Sequence, residues 1–184
     1  MKPIIVGISG GSASGKTTFC NLLADELNEY KVEVLTTDKY FKKPLPKMVS
    51  PLTGEEDDDF NHPDCLDIDR FMADFNKILD EDASDVVLVE GLMILYFKEI
   101  RERLDLKIFI ELDSDERMYR RIKRNIVSMG WTMEQIADYY LNYAKHREKQ
   151  FVLRSSIYAD IILNGNKLDG IAKDMVADWI IGKL

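Results

Sequence analysis

Residues Gly10-Gly11-Ser12-Ala13-Ser14-Gly15-Lys16-Thr17 place glycines, a lysine and a hydroxyl at the spacing G-x-x-x-x-G-K-[ST]. Glycine lets the backbone come close to a ligand and take φ > 0, and a helix that follows turns its positive end toward phosphate oxygens. In such a loop Lys16 reaches the β- and γ-phosphates and the Thr17 hydroxyl coordinates Mg2+. The chemistry implied is binding of a nucleoside triphosphate with its metal ion.

That loop needs a strand before it and a helix after it, and both are legible. Ile4-Ile5-Val6-Gly7-Ile8 is an apolar, β-branched run suited to a strand buried on both faces. Phe19, Leu22, Leu23 and Leu27 then recur at helical spacing. A second strand, Val32 to Thr37, leads into Asp38. Ligands of open α/β sheets gather beyond the carboxyl ends of strands, so Asp38 falls near the loop's mouth. A carboxylate there could take a proton from an attacking hydroxyl, or it could be a turn or cap residue; position alone leaves both open. Asp85 to Gly91 is a third strand, buried, with Glu90 at its carboxyl end, where an acidic side chain can hold Mg2+. Beyond the strand Lys107–Ile110 and a helix start with cap chemistry at Asp113, a basic helix carries Arg117, Arg120, Arg121, Lys123 and Arg124. Arg117, Arg121 and Arg124 share one face by spacing, either as a clamp on phosphate charge or as a solvated face.

The remaining chain supplies the frame. Prolines and Gly54 break up residues 44–67, whose acidic run Glu55 to Asp59 reads as solvated. Ile68 to Leu79 is an amphipathic helix. Gly130 ends the basic helix, and one long helix is expected from Thr132 to about Arg154, its aromatic stripe read mainly as packing. Tyr158 to Leu163 is the last strand, and a final helix gathers Ile171, Met175, Val176, Trp179 and Ile180 on one face. Five strands alternating with helices predict an α/β, three-layer fold, a parallel sheet flanked by helices, in one domain over 1–184. A net charge of −8 argues against non-specific nucleic-acid binding. No apolar run reaches a membrane span and no signal pattern opens the chain, so a cytoplasmic location is expected. Cys20 and Cys65 are too few for a disulfide framework and lack metal spacing.

Several segments, in order along nearly the whole chain, resemble the uridine kinase and phosphoribulokinase superfamily of P-loop kinases. Gly7 through Thr18 resembles its phosphate loop, Thr37-Asp38-Lys39-Tyr40-Phe41 its segment with the catalytic aspartate, and Phe60-Asn61-His62-Pro63-Asp64 its Phe-Asp-His-Pro-Asp signature. Val89-Glu90-Gly91 resembles its Glu-Gly strand end, Phe109 to Asp115 with the following arginines its strand and lid (about 115–131), and Tyr158 to Ile162 its closing strand. The resemblance implies the P-loop fold with an arginine-bearing lid helix, ATP bound by Gly10 to Thr18, and Mg2+ served by Thr17 and Glu90. It implies Asp38 as general base, with Lys16, Arg121 and Arg124 stabilising the transferred phosphoryl group. Self-association is common in the family, but no segment here marks an interface.

The departures concern the acceptor. The signature's second residue is Asn61, the lid's Glu-Arg-Gly-Arg turn is Ser128-Met129-Gly130-Trp131, and a base-reading glutamine is replaced by Tyr139. The insertion that carries a base-enclosing hairpin in uridine kinases is missing between the signature and the Glu-Gly strand. Nicotinamide riboside kinases also lack it, and their Asp-x-Phe-Phe-Lys-Pro run is similar to Asp38 to Pro44. The expectation is a kinase acting on a primary hydroxyl of a small nucleoside-like acceptor, held by Asp38, Tyr40, Phe60, Asn61, His62, Arg117, Trp131 and Tyr139. The alternatives are a nicotinamide riboside or other small-metabolite kinase, and a nucleotide-dependent switch without an acceptor.

Overall fold

The computed structural model describes residues 2–81 and 83–184. Strand β1 (Ile4–Gly10) leads through the glycine loop into α1 (Lys16–Glu26). Strand β2 (Val32–Thr36) ends in a 3-10 turn, Thr37–Tyr40. Strands β3 (Lys47–Val49) and β4 (Glu56–Asp58) form a short antiparallel hairpin inside the stretch expected to be irregular. Helix α2 (Ile68–Asp80) and strand β5 (Val86–Glu90) follow, then the short α3 (Lys98–Arg101), β6 (Leu106–Glu111) and the lid helix α4 (Ser114–Met129). The chain closes with β7 (Ile161–Asn164) and α8 (Ile171–Ile181).

The main sheet has the order β2-β5-β1-β6-β7 and is parallel throughout. Its central strands read as continuous apolar runs because both faces are covered: β5 is buried at every position. One core places Ile5, Val87, Val89 and Phe109 against Phe71 and Phe75 of α2. The other places Val6, Ile8, Leu88 and Ile108 against Phe19 and Leu23 of α1 and Val176 and Ile180 of α8. The three expected layers result. Helix α2 starts where the Asp67 carboxylate accepts from the Arg70 N–H, and its apolar spacing turns Phe71 and Phe75 inward.

Four details correct the sequence reading. The expected helix from Thr132 to Arg154 is a succession: α5 (Met133–Tyr139), a π turn (Tyr140–Ala144), α6 (Lys145–Arg147), a second π turn (Glu148–Val152) and α7 (Leu153–Ser155). Asp113 precedes α4 without making a side-chain cap bond. The closing strand begins at Ile161, because Ser156–Tyr158 form a 3-10 turn before it. On α8, Ile171 and Met175 face outward, and Val176, Ala177 and Ile180 supply the buried face.

Candidate functional site

The carboxyl ends of β1, β2 and β5 open into a cavity of about 700 Å3 that the lid helix borders from the other side. Ser12, Ala13, Gly15, Lys16, Thr17 and Thr18 form its floor. Gly15 starts α1 at φ 111° and no side chain caps that helix, so its first N–H groups face the loop. Gly11 allows close packing from behind: a Cβ there would collide with the Arg117 guanidinium and the Glu148 carboxylate. Lys16 curls back, its Nζ donating to the Gly11 carbonyl at 3.0 Å. Desolvation lowers its pKa below the ordinary lysine value, against the opposing pull of Glu90 and Asp38.

Parallel pairing of β2 with β5 sets Thr36 beside Glu90. The Thr36 hydroxyl donates to Glu90 Oε1 at 2.7 Å, and the Thr17 hydroxyl reaches the same oxygen at 3.4 Å. Thr36 also caps the 3-10 turn, its Oγ1 accepting from the Asp38 N–H at 3.4 Å, and the Asp38 side chain lines the cavity. Among the described residues no group of three or more His, Cys, Asp or Glu could cage a metal. Thr17 and Glu90 are hard oxygen donors, and Mg2+ commonly takes one or two protein oxygens with phosphate and water completing its shell. The donor set fits that ion.

From α4, Arg120, Arg121 and Arg124 line the cavity. Arg124 donates to the Ser12 hydroxyl at 3.4 Å, joining lid to loop. Arg120 is held by the Gly165 carbonyl and Asn166 Oδ1. Arg121 lies 5.6 Å over the Tyr139 ring, and its Nε is buried without a hydrogen-bond partner. Burial lowers its pKa. Arg117, expected on the same face, goes elsewhere. Its Nε donates to the Leu112 carbonyl at 2.9 Å and its Nη1 pairs with Glu148, both side chains buried.

The far end of the cavity is aromatic: Phe41, Phe60, Trp131 and Tyr139 line it in an edge-to-face series. Asn61, buried, lines the same end, and its Nδ2 has no partner. Tyr139 is fixed by its own hydroxyl, which donates to the Asp58 carbonyl at 3.0 Å and accepts from the Phe60 N–H at 3.4 Å. Burial pushes that hydroxyl's pKa up, so it stays a donor.

Three expected acceptor residues do not line the cavity. Arg117 is committed to Glu148. Tyr40 is buried edge-on against Phe71 and donates to Asp74 Oδ2 at 2.8 Å, its pKa pushed up to about 12 by burial and then by that bond. His62 accepts from the Asp64 N–H at 3.1 Å to cap a turn and packs edge-on against Phe151. Nor do Gly10, Gly11 and Ser14 line it: they shape the loop from within. The acidic run is only partly solvated, since Asp59 is buried and pairs with Arg147 at 2.7 Å. Phe41, Leu92, Arg120, Asn125, Ser128 and Met129 line the cavity without having been expected in the site, and Thr36, behind the lining, was not expected to bond Glu90. For Thr36 the available signal was a hydroxyl at the strand end, two residues before Asp38.

The fold and its loop define a P-loop protein: a crystal structure from Thermus thermophilus superposes with a TM-score of 0.59 over 100% of this chain and 99% of that one, at 18% identity. The profile of the Phosphoribulokinase / Uridine kinase family matches residues 62–169. A uridine kinase of Clostridium novyi is 31% identical over 204 residues, covering 98% of this chain and 96% of that protein. A chloroplastic uridine/cytidine kinase of Arabidopsis thaliana is 29% identical over 211 residues, and there the chain spans only 42% of the relative's length. The chain belongs to the phosphoribulokinase and uridine kinase family.

Proposed function

We propose that this chain is a Mg2+-ATP-dependent kinase that phosphorylates a primary hydroxyl on a small nucleoside-like acceptor. The observation that carries this reading is a single cavity that joins a phosphate loop, the Asp38 carboxylate and an aromatic end with an unpartnered amide. Asp38 orients the acceptor hydroxyl and takes its proton as the oxygen attacks the γ-phosphorus and ADP leaves. Lys16, Arg121 and Arg124 stabilise the negative charge spread over the transferring group. Thr17 and Glu90 would hold Mg2+, which would supply positive charge against the phosphates. The lid bond from Arg124 to Ser12 supports closure of α4 over the loop, which excludes water from a site that would otherwise hydrolyse ATP.

The aromatic end suits a planar ring, and its polar groups suggest which kind. Arg121 already lies over Tyr139, so a cationic ring stacking there would meet a like charge. A neutral nucleoside therefore ranks ahead of nicotinamide riboside. A nucleotide switch would have no use for Asp38 at the mouth of an acceptor end. The test is incubation with Mg2+-ATP and uridine, cytidine, nicotinamide riboside or simple sugars, with products read by mass spectrometry. A monophosphate formed on a neutral nucleoside is expected. ATP binding with no phosphorylated product from the whole panel, and hydrolysis stimulated only by a partner protein, would replace this reading with the switch.

A further inference from the structure

We infer that Thr36 is a positioning residue that locks the Glu90 carboxylate and the Asp38-bearing turn into one arrangement, an inference that rests on the kinase reading for what the two carboxylates do. The side chain has one proton and two lone pairs, and the structure uses both kinds of site. Its proton goes to Glu90 Oε1 at 2.7 Å, the shorter of the two hydroxyl contacts on that oxygen. A lone pair accepts the Asp38 N–H at 3.4 Å and closes the turn that presents Asp38 to the cavity. A cap alone would account for the second bond and not for the first. The ladder between β2 and β5 places Thr36 opposite Glu90, so the alignment is built into the sheet rather than into a loop.

Two further observations give the arrangement its purpose. Thr17 shares Glu90 Oε1 with Thr36, and on the kinase reading Thr17 is also the hydroxyl that would be offered to Mg2+. Were Thr17 engaged by Mg2+, the Thr36 hydroxyl would still fix the Glu90 carboxylate through Oε1. Immediately after β5, Gly91 packs against Thr37 so closely that a Cβ would collide with its side chain. The strand end that carries Glu90 and the turn that carries Asp38 thus touch as well as share a hydrogen bond. Partners in the shell outside a metal's ligands set ligand orientation, and their loss commonly costs tenfold or more in metal affinity.

The test compares Thr36→Val, which keeps the β-branched shape, and Thr36→Ser, which keeps the hydroxyl, with the unaltered chain. Calorimetry measures affinity for a non-hydrolysable ATP analogue with excess Mg2+ and again with EDTA. Thr36→Val is expected to lose about tenfold in affinity with Mg2+ and less than about twofold in EDTA, with Thr36→Ser restoring the Mg2+ value. In the kinase assay its kcat should fall while the acceptor KM stays put. An equal loss with and without Mg2+, no loss in either, or failure of Thr36→Ser to restore the difference would overturn the inference. Thr36→Ala is run in parallel and decides the matter in the same way if the valine variant does not fold. If the unaltered chain phosphorylates nothing, the kinase reading falls, while the Mg2+-against-EDTA comparison still judges Thr36.

Discussion

The phosphate end of the cavity hangs on backbone ladders, whereas the aromatic end hangs on side chains. Lys16 opens α1 beyond the loop that follows β1, Glu90 ends β5, and Asp38 lies in the turn that follows β2. These are three adjacent strands of one parallel sheet whose register fixes where each strand stops. The aromatic end is assembled from Phe41, Phe60 and Asn61 in loops, from Trp131 just before α5 and from Tyr139 at the last position of that helix. Its wall is latched from a distance: Tyr139 to the Asp58 carbonyl, Tyr143 to the Glu55 carbonyl, Ser50 to Asn142. A ladder shared by neighbouring strands resists single substitutions, because each side chain leaves the backbone bonds intact. Latches made one side chain at a time can be exchanged one at a time. On the proposed reading, the difference gives a physical route by which the phosphate end could be kept while the aromatic end is altered.

Asp38→Asn should break the phosphate end most severely, since it removes the proton acceptor while leaving the ladder and the loop in place. Turnover should fall by about 10^2- to 10^4-fold with ATP affinity nearly unchanged, read by steady-state kinetics and calorimetry. Lost ATP binding would instead make Asp38 part of the loop's architecture. Arg117→Ala probes what lies beneath that end. It leaves the Glu148 carboxylate buried without its partner, and unfolding in denaturant should show about 3–5 kcal/mol of lost stability. The double variant Arg117→Met with Glu148→Leu should recover most of it, and equal losses in single and double variants would show that the pair is not coupled. Tyr139→Phe keeps the ring and removes the latch. It should cost about 1–2 kcal/mol of stability, raise the acceptor KM several-fold and leave ATP affinity alone. A change in ATP affinity of the same size would erase the distinction between the two ends.

Much of the fold and the phosphate end was legible because their signals are local. The glycine loop, the β-branched runs and the acidic residues at strand ends all lie within a few positions of the feature they set. Arg117 shows where that stops. Helical spacing puts it with Arg121 and Arg124, yet its fate depends on Glu148, 31 residues on, reaching it from a π turn. Tyr40 and Asp74 are 34 residues apart, and Thr36 and Glu90 are 54 apart. In the acidic run, charge density suggested solvation for all five residues, and Arg147 draws one of them inside. Each of these four is a pairing between side chains distant in sequence, for which composition and periodicity carry no signal.

The two π turns make the segment from Met133 to Ser155 a counting device. A π turn spends one residue more than an α turn, and each residue of an α-helix advances the face by about 100°. Removing one residue from the turn at Tyr140–Ala144 would leave Tyr139 in the cavity wall and swing everything after it around the axis. Glu148 would leave Arg117 beneath the phosphate loop, and Phe151 and Val152 would leave the core. Changes of length are therefore barred there and open at the exposed hairpin tip, Pro51 to Gly54.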